Sequence, residues 1–166
     1  GGLVFNKQLK IGGSTFDIAI VNSVRYNQEF LIGRLTAEEL RKAYGIDSSK
    51  EIDLIAVAGR NLRTRIPEQK EVSRSLVRAA MKEPMTNCLR EIHTLMERTP
   101  PEVQRNIKKN GIYITGGLAN LKGIASYMEQ SLGIKIHTVK QPEFCAVNGL
   151  KNIIESKELM KLTYSM

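Results

Sequence analysis

A chain of 166 residues with 42% hydrophobic content can bury one substantial core or two small ones, and none of its apolar runs approaches membrane-spanning length. Its start lacks the charged-then-apolar pattern of a signal peptide, so the expected location is cytoplasmic. The formal net charge of +8 is dispersed: the densest groups, Arg60, Arg63 and Arg65 and then Arg105, Lys108 and Lys109, have no interleaved aromatics and the chain has no tryptophan, which disfavours a nucleic-acid site and leaves a solvated surface, an acidic partner or an anionic membrane leaflet.

Gly1 and Gly2 carry no information. Leu9 and Ile11 lead into Gly12-Gly13-Ser14-Thr15, after which Phe16, Ile18 and Ile20 alternate with Asp17, Ala19 and Val21, a pattern that predicts a β-hairpin with a glycine-rich tip. Such a tip offers backbone N–H groups and two hydroxyls to an anion, although Gly-Gly turns are common without any ligand. Val24 to Ile32 is a short apolar segment ending at Gly33. Thr36-Ala37-Glu38-Glu39 fits a capping box and predicts a helix from about Ala37 to Tyr44, stopped by Gly45.

From Glu51 to about Val72 the residues read as strands, with Ile52, Leu54, Ile55 and Val57 before turn candidates Gly59 and Asn61, and Leu62, Ile66 and Val72 after them. The period then changes. Val77, Met81, Met85, Cys88, Ile92 and Leu95 recur every three or four residues, predicting one face of a long helix bent at Pro84. The methionines and His93 on it read as packing and surface residues, and with only His93 and His137 in the chain histidine catalysis has little support. Thr99-Pro100-Pro101-Glu102 predicts another capped helix with Val103 and Ile107 on its apolar face, ended by Asn110-Gly111.

Ile112, Tyr113 and Ile114 then form a short strand, Gly116 and Gly117 break it, and Leu121, Ile124, Ala125, Met128 and Leu132 recur with helical spacing. A strand, a tight glycine turn and a helix let the backbone approach a flat or phosphorylated ligand, and an ordinary connection in an α/β domain would look the same. Gly133 closes that helix, Ile134 to Val139 reads as a strand, and Pro142 introduces a last helix with Phe144, Val147, Leu150 and Ile154 apolar, followed by a mixed basic and apolar tail to Met166. Cys88 and Cys145 fall at apolar helix positions without metal-ligand spacing and read as reduced core residues.

Five segments in one order carry a resemblance: Ile-Gly-Gly-Ser-Thr at 11 to 15, Leu-Ile-Gly-Arg-Leu-Thr-Ala-Glu-Glu-Leu at 31 to 40, Gly-Arg-Asn-Leu at 59 to 62, Glu-Arg-Thr-Pro-Pro-Glu at 97 to 102, and Gly-Ile-Tyr-Ile-Thr-Gly-Gly at 111 to 117. Together they resemble the C-terminal half of the bacterial actin homologue family MreB. The resemblance implies an α/β fold, the second lobe of an actin-like, ribonuclease H-like ATPase. Its mixed sheet would be flanked by helices within residues 1–35 and 111–166, and a smaller α/β subdomain inserted at 36–110. It implies ATP and Mg2+ between two lobes, with Gly12, Gly13, Ser14 and Thr15 as a phosphate-binding hairpin. Glu38, Glu39 and Arg41 would flank ribose and adenine, and Gly116, Gly117, Leu118 and Ala119 would line base and phosphates. It further implies self-association into membrane-associated filaments that organise wall synthesis and cell shape, with cell-wall synthesis proteins as partners.

Several positions depart from that family. Lys10 stands where an acidic residue is usual before the Ile-Gly-Gly turn; a cation there cannot ligate magnesium and can pair with phosphate instead. Ser14 and Leu118 replace glycines, and the stretch between about Val21 and Val24 is too short for the strand, Gly-Asp turn and helix start expected there. No segment matches the first lobe with its phosphate loop and catalytic carboxylate, so this chain alone is not expected to hydrolyse ATP efficiently. The alternatives are a non-hydrolysing interaction module that keeps the actin-like fold, and a sugar-kinase-like or chaperone-like relative, which the Glu-Arg-Thr-Pro-Pro-Glu and Thr-Ala-Glu-Glu segments disfavour.

Overall fold

The computed structural model describes residues 3–46 and 54–160. The expectations for Gly1 and Gly2, for the strand start at Glu51 and Ile52, and for the tail beyond residue 160 lie outside these. Helix α1 (Gly13–Gln28) is followed by a short strand β1 (Phe30–Leu31), helix α2 (Arg34–Tyr44), strands β2 (Leu54–Asn61) and β3 (Pro67–Ser73), and helices α3 (Arg74–Arg98) and α4 (Pro101–Asn110). Strand β4 (Ile112–Ile114), a 3-10 turn (Gly117–Asn120), helix α5 (Ile124–Leu132), strand β5 (Ile136–Thr138), a second 3-10 turn (Pro142–Phe144) and helices α6 (Cys145–Glu155) and α7 (Lys157–Met160) complete the order.

The largest difference from expectation is at the start, where residues 13 to 28 form a helix and not a hairpin. Phe16, Ile20 and Val24 are all fully buried and the neighbouring Asp17 is buried with them, whereas Ile18, which a strand would place on the same face as Phe16 and Ile20, is exposed, a pattern that fits a helix and not a strand. The same helix runs unbroken through Val21 to Val24, so the short stretch noted there interrupts nothing. Both expected capping boxes also fail. Helix α2 begins earlier, with Gly33 as its N-cap and Thr36 already inside it. Thr99 is the C-cap of α3, its hydroxyl donating to the Leu95 carbonyl at 2.7 Å, and Pro100 occupies the N-cap of α4 without a side-chain bond.

Helix α3 spans 25 residues with Pro84 buried inside it. Its Val77, Met81, Met85 and Leu89 pack with Phe16, Ile20 and Val24 of α1 and Leu40 and Tyr44 of α2 in one core cluster. Burying side chains of this size contributes about 1.5–3 kcal/mol each. Strands β1, β2 and β3 form an antiparallel sheet in that order, with Leu54 opposite Ser73 and Arg60 opposite Pro67. Its Phe30, Val57 and Val72 enter the same core, and the Tyr44 hydroxyl donates to the Val72 carbonyl at 2.6 Å. Parallel pairing occurs separately, between β4 and β5, where Tyr113 and His137 stack with centroids 4.7 Å apart.

Glycines end three of the helices. Gly45, Gly111 and Gly133 all have positive φ, and a Cβ on Gly45 would sit 2.5 Å from Lys122 Cβ and 2.6 Å from the Lys122 carbonyl oxygen. That close approach ties the end of α2 to the start of α5, because the Ile46 N–H donates to the same carbonyl at 2.8 Å. The apolar face expected on the last helix is exposed at Phe144, Val147, Leu150 and Ile154. Both cysteines are free and half-buried, and burial raises the Cys88 thiol pKa.

Candidate functional site

A cavity of about 670 Å³ opens where the start of α1, the exposed side of α2 and the turn after β4 meet. Gly12 and Gly13 line it from α1, Glu38, Arg41 and Lys42 from α2, and Thr115 to Leu118 from the glycine turn. Asn120, Leu121, Lys122 and Glu143 close it. That volume falls within the span of about 300–1,000 Å³ common for small-molecule sites.

The α1 side is set by a helix start. The Gly12 N–H donates to Thr15 Oγ1 at 3.2 Å, and that hydroxyl lies 3.4 Å from the Lys10 carbonyl, so Thr15 closes the first turn of the helix. The carbonyl of Gly12 accepts from the Thr15 N–H at 2.9 Å, while the N–H groups of Gly13 and Ser14 at the first two positions have no intrahelical acceptor. Such unpaired donors, with the dipole of a 16-residue helix behind them, favour an anion. Gly13 has a steric reason as well: a Cβ would lie 3.2 Å from Arg41 Nη2.

Arg41 is the best-anchored charge at the site. Its Nε donates to Asp17 Oδ1 at 2.7 Å, its Nη2 lies 3.8 Å from Glu38 Oε1, and both Arg41 and Asp17 are buried. Lys42 Nζ pairs with Glu38 Oε1 at 2.7 Å. The hydrogen bond and charge of Lys42, with a smaller contribution from Arg41, hold the Glu38 carboxyl below the ordinary carboxylate pKa, so it stays ionised at neutral pH.

Across the cavity Gly116 has φ +86°, and its N–H donates to the Pro142 carbonyl at 2.8 Å, which brings the second 3-10 turn against the glycine turn. Asn120 Nδ2 donates to Glu143 Oε2 at 2.6 Å. The backbone N–H of Glu143 and the Asn120 amide hold that carboxyl below its ordinary value, with no cation among the causes.

Of the residues predicted for the site, Gly12, Gly13, Glu38, Arg41, Gly116, Gly117 and Leu118 line the one cavity. Ser14, Thr15, Glu39 and Ala119 do not: Ser14 points to solvent, Thr15 is spent on the helix start, Glu39 lies on the outer side of α2, and Ala119 is buried. The hairpin expected to hold phosphate is replaced by the α1 start, and Lys10 is exposed and does not line the cavity. Lys42, Asn120, Lys122 and Glu143 were missed. Lys42, four residues beyond Glu38, could have been found from helical spacing; Glu143 enters only through the Gly116–Pro142 contact, 26 residues apart in the chain.

Magnesium finds no ready cage in these residues. No group of three or more His, Cys, Asp or Glu side chains converges among the described residues, and Asp17, Glu38 and Glu143 are committed to Arg41, Lys42 and Asn120. Nor is any helix among them long and apolar enough to cross a membrane.

The family described as MreB/Mbl protein matches residues 1–162. The cell shape-determining protein MreB of Escherichia coli (strain K12) is 34% identical over 152 residues, covering 89% of this chain and 43% of that protein. The chain therefore spans a little under half the length of that relative. Among solved structures, MreB5 of Spiroplasma citri bound to ADP superposes with a TM-score of 0.91 at 23% identity, over 99% of this chain and 50% of that one. The MamK double helical filament superposes with a TM-score of 0.74 at 21% identity, over 89% of this chain and 46% of that one. Both likenesses show an actin-like fold.

Proposed function

The chain belongs to the MreB/Mbl protein family, and from that premise we propose that it is a nucleotide-binding half of a filament-forming, cell-shape-determining protein at the cytoplasmic face of the membrane. One observation carries the reading: two glycine turns roughly a hundred residues apart in sequence, 12–13 and 116–117, face each other across a cavity that also holds Arg41. The N–H groups at the start of α1, with Arg41 close to Gly13, suit phosphates, and the flat backbone of the Gly116–Gly117 turn suits a base or sugar. The relative solved with ADP and the relative solved as a filament lend the ligand class and the self-association.

Binding without hydrolysis by this chain's own residues is the form of the reading that the geometry favours. Asp17, the one buried carboxylate among the described residues, is locked to Arg41 and lies outside the lining of the cavity, so no free base faces the phosphate end. The retained-fold interaction module is therefore compatible with a working nucleotide site. Magnesium, if it accompanies the nucleotide, would be held by phosphates and water.

Titration of the protein with ADP and AMPPNP by calorimetry tests this. Gly12→Val and Gly117→Val each place a side chain where nothing lies within 4 Å, so folding survives while the cavity narrows. Loss of binding in both is expected; binding unchanged in both would remove these turns from the site. Sedimentation with the remaining half of a relative supplied tests the filament role.

A further inference from the structure

A second cavity, of about 360 Å³, lies where the first turns of α3 meet α5. Ser75, Arg78, Ala79 and Lys82 line it from α3, Tyr127 from α5, and Ile46 from just past the end of α2. It shares no lining residue with the cavity between the two glycine turns. The α3 residues stand at i, i+3, i+4 and i+7, which is one helical face.

The cations on that face are unanswered. In the first cavity Arg41 is met by Asp17 and Lys42 by Glu38, whereas among the described residues no carboxylate pairs with Arg78 or Lys82, one turn apart and of like sign. No carboxylate lines this cavity either, and its other polar side chains both have a hydrogen to give. The Tyr127 hydroxyl has no hydrogen-bond partner among the described residues. Ser75 Oγ lies 2.9 Å from Ser73 Oγ, which can donate in that bond because it already accepts from the Leu76 N–H, leaving the Ser75 hydrogen for a ligand. The rest of the wall is apolar: Ile46, 2% exposed, the Ala79 methyl and the Tyr127 ring.

We propose that this cavity is a second ligand site, for a small phosphate monoester whose organic part is an aryl or short alkyl group. A phosphate monoester carries close to two negative charges at neutral pH and so answers both cations, with the Arg78 guanidinium able to take two oxygens and Lys82 acting as a point charge. Its organic part covers Ile46, Ala79 and the Tyr127 ring. A bare inorganic anion would leave that wall, and most of the 360 Å³, to water. The two cavities lie back to back, since the Ile46 N–H donates to the carbonyl of Lys122, a residue of the first cavity.

Residue-resolved NMR titration separates them, with phenyl phosphate as the probe and inorganic phosphate and phenol as its two halves. Phenyl phosphate is expected to shift the amides of Ile46, Ser75, Arg78 and Tyr127 to saturation, and each half to bind there about tenfold or more weakly. Arg78→Gln and Lys82→Gln should each weaken the probe about fivefold or more, and Ala79→Leu, which keeps both cations and fills the cavity, should abolish its binding. None of the three positions belongs to the core cluster, so the fold stands in each variant. Shifts confined to Gly12, Gly13 and Gly117 would overturn the inference, as would inorganic phosphate or phenol binding at this cavity as tightly as the ester. Binding that survives the combined Arg78→Gln and Lys82→Gln change overturns it by removing the cations. Binding that survives Ala79→Leu overturns it as well, by placing the anion on the outer surface.

Discussion

Replacing Asp17 by alanine is expected to be among the most damaging single changes at the site, although Asp17 never touches the cavity. Arg41 and Asp17 are both over nine-tenths buried and joined at 2.7 Å, so the truncation leaves a guanidinium in the interior facing a small void. Breaking a buried ion pair from one side costs about 3–5 kcal/mol. Glu38, 3.8 Å from Arg41 Nη2, can take up part of the lost partnership, which places the expected cost near the lower end, about 3 kcal/mol. For a chain of this size that is a fall in Tm of about 6–12 °C. Thermal unfolding followed by circular dichroism would read it, with urea unfolding as a check that the slope, and hence the compactness of the unfolded chain, is unchanged. Asp17→Asn keeps an oxygen for Arg41 Nε and should lose roughly half as much, and Asp17→Leu combined with Arg41→Met should recover most of the loss, since a well-packed apolar pair avoids the desolvation cost. A fall of less than about 2 °C for Asp17→Ala would refute the reasoning and mean that Arg41 finds water or Glu38 at no expense.

Gly45→Ala should destabilise by about 2 kcal/mol or more, because φ is +65° and the new Cβ meets Lys122 backbone and side chain at 2.5–2.6 Å; Gly149→Ala, inside α6 with nothing within 4 Å, should instead stabilise by about 0.5–1 kcal/mol, and the same melting assay compares them. Lys42→Ala should move the Glu38 pKa upward toward 4.5, read by NMR titration of the carboxyl; since the folded pKa is depressed, the Lys42 contribution is present above the ordinary value and is lost as the pH falls through the lower folded one. Cys88, whose thiol pKa is raised by burial, should react with a disulfide reagent at pH 8 well below the rate of a free thiol and reach that rate on unfolding. Met81→Ala, at a fully buried position, should cost about 2–5 kcal/mol in urea unfolding.

Features written over short distances were legible in the sequence. The four-residue spacing of Val77, Met81 and Met85 names the buried face of α3, and Gly45, Gly111 and Gly133 mark helix ends because only the left-handed region continues the chain there. The Gly116–Gly117 turn between a strand and a helix was equally plain, although a 3-10 turn separates glycines and helix. Misreadings arose where two periods fit the same letters. Phe16, Ile18 and Ile20 alternate like a strand, and the spacing of Phe16, Ile20 and Val24 fits either period; what discriminates is burial, since Ile18 is exposed and Asp17, apparently an outward polar residue, is buried with a partner 24 residues away. The Thr-x-x-Glu patterns misled because helix boundaries were settled elsewhere, by Gly33 and by the reach of α3 to Arg98. Asn120 and Glu143 give no local signal at all, since their meeting depends on the Gly116–Pro142 bond.

Because the cavity draws on residues from Gly12 to Glu143, it exists only once nearly the whole chain has collapsed. No excised fragment shorter than that interval could carry it, and an unfolded chain should have no affinity for its ligand. Occupancy and folding are then one equilibrium: a ligand at a hundred times its Kd would add about 2.7 kcal/mol to stability. In a cell the level of free ligand would then help decide how long the chain escapes proteolysis, a form of quality control that needs no separate regulator.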